Sequence, residues 1–215
     1  MNRIIRSFIY IILCYVLYTP IVLSVNQTNN SANNVSFTQN NEILKRAEIY
    51  LNSLTTLVAD FNQVSPNGQI SNGKFFLSRP GKLRIQYNAP VPIIMTINGS
   101  LISYYDYELD QLNHSSTAHD NLASFLIRKN ISFFSSDIKV KMIDRSNGLI
   151  QIKLAKANKS QDGDLTLIFN DYPFTLKKIE ITDAEFNKTS VSLSNTNFGT
   201  KLDNRLFTLT KREKF

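Results

Sequence analysis

Few side chains in this sequence have the types and spacing that chemistry needs. The two histidines, His114 and His119, stand five apart in a polar stretch, which does not place both on one helix face as a paired metal site would. Asp106, Glu108 and Asp110 alternate, so on a strand their carboxylates would share one side and could hold a cation or divide general acid and base work. A solvated outer face accounts for the same alternation. Together with a histidine they would make a secreted hydrolase, and that reading stands as an alternative. Glycine-rich phosphate loops and G-x-S-x-G elbows are absent from the sequence, so no cofactor and no metal is expected and the chain reads as a non-enzyme. Cys14, the single cysteine, follows the bulky Leu13 where a lipidation signal would want a small residue. The last chemical resource is Arg79: on a strand it shares a face with Gly73, Phe75 and Leu77, one guanidinium closing an apolar row.

The elements that would position these groups begin with the N-terminus. Residues 1–24 carry Arg3 and Arg6, an apolar run and a small residue at Ser24, the pattern of a cleaved secretory signal; an uncleaved anchor is the competing reading, against which Pro20 interrupts the run. Without the signal no cysteine remains, so disulfides, thiol nucleophiles and thiolate metal sites are excluded. The net charge of +7 falls to +5 without Arg3 and Arg6. Basic residues are dispersed and not interleaved with aromatics, which argues against a nucleic-acid partner and leaves room for anionic headgroups or an acidic partner. Residues 25–40, rich in Asn, Ser and Thr, read as a flexible leader. A single domain is expected over residues 41–215.

Within that domain a helix capped by Asn40 or Asn41 should run to about Leu54, with Ile43, Ala47, Leu51 and Leu54 on one side. Leu57, Ala59 and Phe61 then alternate with Asp60 and Asn62. Residues 73–106 read as a meander: Pro80-Gly81 suits a type II turn, Asn98-Gly99 a two-residue hairpin turn, and Leu83, Ile85 and Tyr87 continue the face of Phe75 and Leu77. A polar loop over residues 114–120 precedes a second short helix, with Leu122, Phe125 and Leu126 facing one way. Strands resume at Ile138 and end with one near residues 206–209. The rhythm gives about eleven antiparallel strands. The 14 Phe and 9 Tyr exceed what the polar inventory needs, and they fit either a closed core or a ligand cavity.

The run G-x-F-x-x-x-R-P-G-x-x-R-x-x-Y, from Gly73 to Tyr87, with Asn98-Gly99 and then Tyr105, Tyr107 and Gln111, resembles the periplasmic outer-membrane lipoprotein carrier (LolA-like) family, loosely from residue 42 to residue 207. The resemblance implies a mainly β (α+β) fold: an incomplete antiparallel β-barrel of about eleven strands, with two or three short helices as a lid over its open, apolar side. It implies a periplasmic chaperone that shelters lipoprotein acyl chains in a lidded cavity walled by Phe75, Leu77, Leu83, Ile85, Tyr87, Ile93, Met95, Ile97 and Tyr105. Arg79 would be the latch, its five donors meeting lid carbonyls. Leu83 and Ile85 stand where the family often has aromatics. Implied partners are acylated lipoproteins, an inner-membrane lipoprotein-releasing ABC transporter complex and an outer-membrane lipoprotein receptor, with the carrier monomeric. A half-barrel lipid sensor or receptor and a closed interaction domain are the remaining alternatives.

Overall fold

Alternation of apolar and polar residues dictates most of the chain. The computed structural model describes residues 26–116 and 122–210; the expected signal segment with Cys14, together with His119, lies outside the described residues. Among the described residues eleven strands follow one helix, α1 (Asn26–Ser53): β1 (Thr56–Val64), β2 (Ile70–Ser78), β3 (Lys82–Tyr87), β4 (Ile93–Asn98), β5 (Leu101–Asp106), β6 (Gln111–Ser116), β7 (Ile138–Ser146), β8 (Leu149–Lys156), β9 (Gly163–Asn170), β10 (Thr175–Asp183) and β11 (Lys188–Phe198). Two 3-10 helices, Leu122–Ile127 and Asn204–Phe207, accompany them. These strands form one antiparallel sheet in the order β6-β5-β4-β3-β2-β1-β11-β10-β9-β8-β7, open at β6 and β7 and not closed into a barrel.

The chain divides into two units, Met1–Asn41 and Glu42–Phe215. In the first, residues 26–40 continue α1 where the sequence reading put a flexible leader. Extending a nucleated helix fixes one residue per hydrogen bond gained, so poor helix formers can be added to an existing end. In the second unit Leu44, Ala47 and Leu51 are buried, as is Leu54 just beyond the helix, while Ile43 is only partly buried. Leu44 therefore takes the inward position that the sequence reading gave to Ile43.

Hairpin registers fix the two faces of the sheet. Leu77 pairs with Leu83, Phe75 with Ile85 and Gly73 with Tyr87, while Leu83 pairs with Ile97 and Ile85 with Met95; these share the inner face, against which α1 packs in the main core. Gly73 is required there. A Cβ at that position would stand 2.0 Å from the Gln86 carbonyl oxygen and 2.9 Å from the Phe61 ring, and the space without it lets Phe61 and Tyr87 meet edge to face at 5.1 Å.

Several turn and strand expectations are corrected. Pro80 and Gly81 lie in a three-residue loop closed by the Ser78–Lys82 pair, with Gly81 at the expected positive φ, +82°. Asn98 pairs with Leu101, so the hairpin turn is Gly99-Ser100, one residue later than expected, with Gly99 at φ +62°. Residues 114–116, expected to open a loop, end the edge strand β6, and the strand expected near residues 206–209 gives way to the second 3-10 helix, Asn204–Phe207. That segment covers the outer face, where Arg84 is buried and donates to the Leu206 carbonyl at 2.9 Å.

Candidate functional site

Arg79 follows β2 in the loop 79–81, and three backbone bonds hold that loop still. Its own N–H donates to Thr55 O at 2.8 Å, Gly81 N–H to Ile127 O at 2.8 Å and Gly99 N–H to Gly81 O at 2.8 Å. The loop thus touches the end of α1 and the end of the first 3-10 helix before any side chain is considered. From that base the guanidinium reaches both segments again. Its Nε donates to Arg128 O at 2.9 Å, and Nη2 donates to Arg128 O at 2.6 Å, to Lys129 O at 3.2 Å and to Asn52 Oδ1 at 3.1 Å. Nη1 donates to the Leu51 carbonyl. Leu51 O lies in the last turn of α1, where carbonyls lack an i+4 partner within the helix, and a permanent cation suits the negative end of the helix dipole. Partial burial lowers the guanidinium's proton affinity from its ordinary value; arginine stays charged regardless.

Neighbours reinforce this seam. The Asn52 side-chain amide pairs with the Ile131 backbone, accepting from its N–H at 2.9 Å and donating to its carbonyl at 2.9 Å. Glu48, one turn earlier on the same flank, accepts from Phe133 N–H at 2.6 Å. Arg128 is itself fixed: its guanidinium lies 5.0 Å from the Phe125 ring centroid and pairs with Asp137 at 2.6 Å, and that hydrogen bond holds the Asp137 carboxyl below its usual range. Asn52, Glu48 and residues 128–133 were missed by sequence reasoning. The signal for two of them was present: polar Glu48 and Asn52 stand four apart on one flank of an amphipathic helix.

Beneath the seam α1, residues 125–133 and the sheet are packed together. Leu44, Ala47, Leu51, Phe125, Leu126, Ile127, Ile131 and Phe133 join Phe75, Leu77, Leu83 and Ile97 in one buried cluster, and Ile85 and Tyr87 pack at its margin. The Tyr87 hydroxyl donates to Gln63 Oε1 at 2.8 Å, and burial raises its pKa. Ile93 and Met95, partly buried, follow Ile97 on the same face by strand alternation. Leu122 opens the first 3-10 helix. The sequence reading placed a cavity behind these walls; in this structure the side chains of α1 and residues 125–133 named above are buried against them. Cavities of about 480 and 370 Å³ lie along the C-terminal segment, lined by Lys82, Asn204, Arg205 and by Arg84, Asp203, Leu206 respectively. Another of about 390 Å³ opens beside the end of α1, between Tyr50, Leu54, Thr56 and Phe198.

One expected wall residue is on the wrong face. Tyr105 pairs with Ile94 and packs with it and Leu209 in a separate outer cluster, because the inner row runs from Ile85 through Met95 to Tyr104. The Tyr105 hydroxyl donates to Asp110, whose carboxylate raises the phenol's pKa to about 12.

The expected acidic strand is also rearranged. Only Asp106 belongs to β5; Glu108 and Asp110 lie in the turn after it, and Asp106 Oδ1 accepts from the Glu108 and Leu109 N–H groups at 3.0 and 3.1 Å. These carboxylates are used in shaping a turn. His114, on β6, is 2.9 Å from Ser103 Oγ, and Ser103 is 3% exposed.

The family model described as "Outer membrane lipoprotein carrier protein LolA" matches residues 52–210. An "Uncharacterized protein RP864" of Rickettsia prowazekii is 25% identical over 146 residues, covering 68% of this chain and 67% of that one. An "Outer-membrane lipoprotein carrier protein" of Methylococcus capsulatus is 28% identical over 170 residues, covering 75% and 80%. Among solved structures, an uncharacterized conserved protein from Thermus thermophilus superposes with a TM-score of 0.50 at 12% identity, covering 81% of this chain and 96% of that one, a likeness of fold. The R-P-G loop that bonds both the end of α1 and residues 127–129 is thus found in a chain that belongs to the outer membrane lipoprotein carrier protein LolA family.

Proposed function

We propose that this protein is a monomeric periplasmic chaperone, exported by a cleaved signal at residues 1–24, that binds the acyl chains of lipoproteins and carries them from the inner to the outer membrane. It would receive them from an ATP-driven lipoprotein-releasing complex and deliver them to the outer membrane or a receptor there, making and breaking no covalent bond. The observation that supports this most is the Arg79 guanidinium joining Leu51 O of one lid segment to Arg128 O and Lys129 O of the other, at the edge of an apolar sheet face.

The energetics suit reversible carriage. Seven large apolar lid side chains, Leu44, Leu51, Phe125, Leu126, Ile127, Ile131 and Phe133, are buried, and at about 1.5–3 kcal/mol each they contribute roughly 10–20 kcal/mol as an upper estimate. An acyl chain of about sixteen carbons buries a comparable ~13 kcal/mol. Cargo that displaces the lid from the inner face therefore exchanges one apolar burial for another. The binding space is created by lid movement, and neither state is so favoured that the other is out of reach.

Native mass spectrometry of delipidated protein mixed with a triacylated peptide tests this directly. A 1:1 complex is expected, absent with the unacylated peptide, and shortening one bound chain by two methylenes should weaken it about 15-fold, at ~0.8 kcal/mol each. Failure to bind the acylated peptide, or binding that ignores the acyl chains, would rule the function out.

A further inference from the structure

We propose that Asp171 is a second fastening of α1, a positioning residue that holds the helix from the flank opposite Arg79. Asp171 sits in the turn between β9 and β10. Its Oδ1 accepts from Arg46 Nη1 at 2.7 Å and its backbone carbonyl from Arg46 Nη2, so one helix arginine grips the turn twice. Its Oδ2 accepts from Arg145 Nε at 2.9 Å. Arg145 lies at the end of β7, and the Asp171 N–H donates to Gly148 O of the β7–β8 hairpin at 2.9 Å. The carboxylate is therefore held by the sheet with or without the helix, a receiver that stays formed when the lid lifts.

Aromatic contacts carry the same seam along the helix. The Arg46 guanidinium is 4.4 Å from the Phe174 ring centroid, and Phe174 stacks on the fully buried Phe169 at 4.8 Å. Tyr50, one turn after Arg46, meets Phe169 and Phe174 edge to face at 5.9 and 5.6 Å, and its hydroxyl accepts from Leu176 N–H at 3.1 Å. Arg46 and Tyr50 occupy one flank of α1, Glu48 and Asn52 the other, and the buried Leu44, Ala47 and Leu51 lie between. Side-chain exposures of 18% for Asp171, 42% for Arg46 and 63% for Arg145 put the carboxylate in the least hydrated place, where a lost partner matters most. The helix thus has a fastening along each flank, and lifting it requires at least one to part.

Hydrogen exchange of the full chain tests this without any lipid. Asp171→Asn and Arg46→Gln should each speed exchange of the amides of residues 44–53 about three- to tenfold, the range of a partly exposed ion pair. The double variant should fall short of the sum of the two single ones, because both remove the shared Arg46–Asp171 pair. Amides of β8 and β9 should be unmoved. Unchanged exchange over residues 44–53, additive effects, or equal acceleration throughout the sheet would each overturn the proposal. Its use in carriage rests on the proposed function, and the two fail separately. If exchange rises but the triacylated peptide is not bound, the fastening stands and the carrier does not; if the peptide binds and exchange is unmoved, the reverse holds.

Discussion

Replacing Arg79 by Leu removes at one stroke the donors to Leu51 O, Asn52 Oδ1, Arg128 O and Lys129 O. Bonds from a charged donor are worth about 1.5–3 kcal/mol each where water is excluded, and the exposed part of this cluster rehydrates when the donor goes. A net loss of roughly 2–4 kcal/mol for the closed lid follows, which raises the open-to-closed ratio about 30- to 1,000-fold. Arg79→Lys keeps the charge but offers one nitrogen where the fork spans two segments, so its effect should fall between. Spin labels on Ile49→Cys in α1 and Leu101→Cys on β5, both exposed positions, in protein lacking residues 1–24 and so free of other cysteines, report the lid by pulsed electron resonance. The wild-type distance should be replaced, in Arg79→Leu, by a longer and broader distribution, with the chemical unfolding midpoint of the sheet preserved. Superimposable distributions in all three proteins would refute the latch.

Three further outcomes follow from the same geometry. Gly73→Ala forces a Cβ onto the Gln86 carbonyl and the Phe61 ring and should lower stability by roughly 2–4 kcal/mol, read as a shift in urea midpoint at constant slope. Tyr105→Phe, on the outer face, should leave acyl-peptide affinity and lid exchange within about twofold of wild type, whereas Phe75→Ala on the inner face should change both; equal effects would contradict the assigned register. Asp171 and Asp137 are held below their ordinary 3.8, chiefly by the hydrogen bonds from Arg46 and Arg128. Lowered carboxyl values give stability that is complete above the unfolded value and lost as pH falls through the folded one. The lid should therefore hold from about pH 5 to 8 as far as these groups go and loosen below about pH 4, seen as uptake of an apolar dye before the sheet unfolds; a midpoint near pH 6 would contradict this assignment.

How far the sequence could be read depended on where each residue's partner lay. Phe75, Leu77, Leu83 and Ile85 were legible because adjacent strands joined by short turns fix their own register. Tyr104 and Tyr105 were not distinguishable, since two neighbouring tyrosines satisfy either alternation and the choice is made by pairing with Met95 or Ile94. The outer face near them is apolar too, because residues 204–209 return across the chain to cover it, and no local pattern announces that return. Arg79 stood out as a lone charge ending an apolar row. Asn52 and Glu48 did not, since their acceptor and donor partners lie 79 and 85 positions away. The acidic trio was misread for a related reason: alternation over Asp106, Glu108 and Asp110 looks like a strand, but the Asp106 side chain accepts from the Glu108 and Leu109 N–H groups and turns the chain instead.

The division of labour between apolar and polar contacts explains why the fastenings matter more than the packing they sit on. Apolar burial has no direction, so an acyl chain can take the place of Leu51 or Phe125 against Phe75 and Leu77 at little net cost. It cannot take the place of Arg79 against the Leu51 and Arg128 carbonyls, or of Arg46 against Asp171, because it carries no donor. A loaded and an empty carrier could then have nearly equal apolar energies and still differ in these few directed bonds. On the proposed function the directed bonds would set which state is occupied, and single substitutions would tune them without rebuilding the core. The arrangement requires the polar seams to lie along the flanks of α1, where opening exposes them to water that can satisfy both partners, and Arg46, Glu48, Asn52 and Arg79 all lie there.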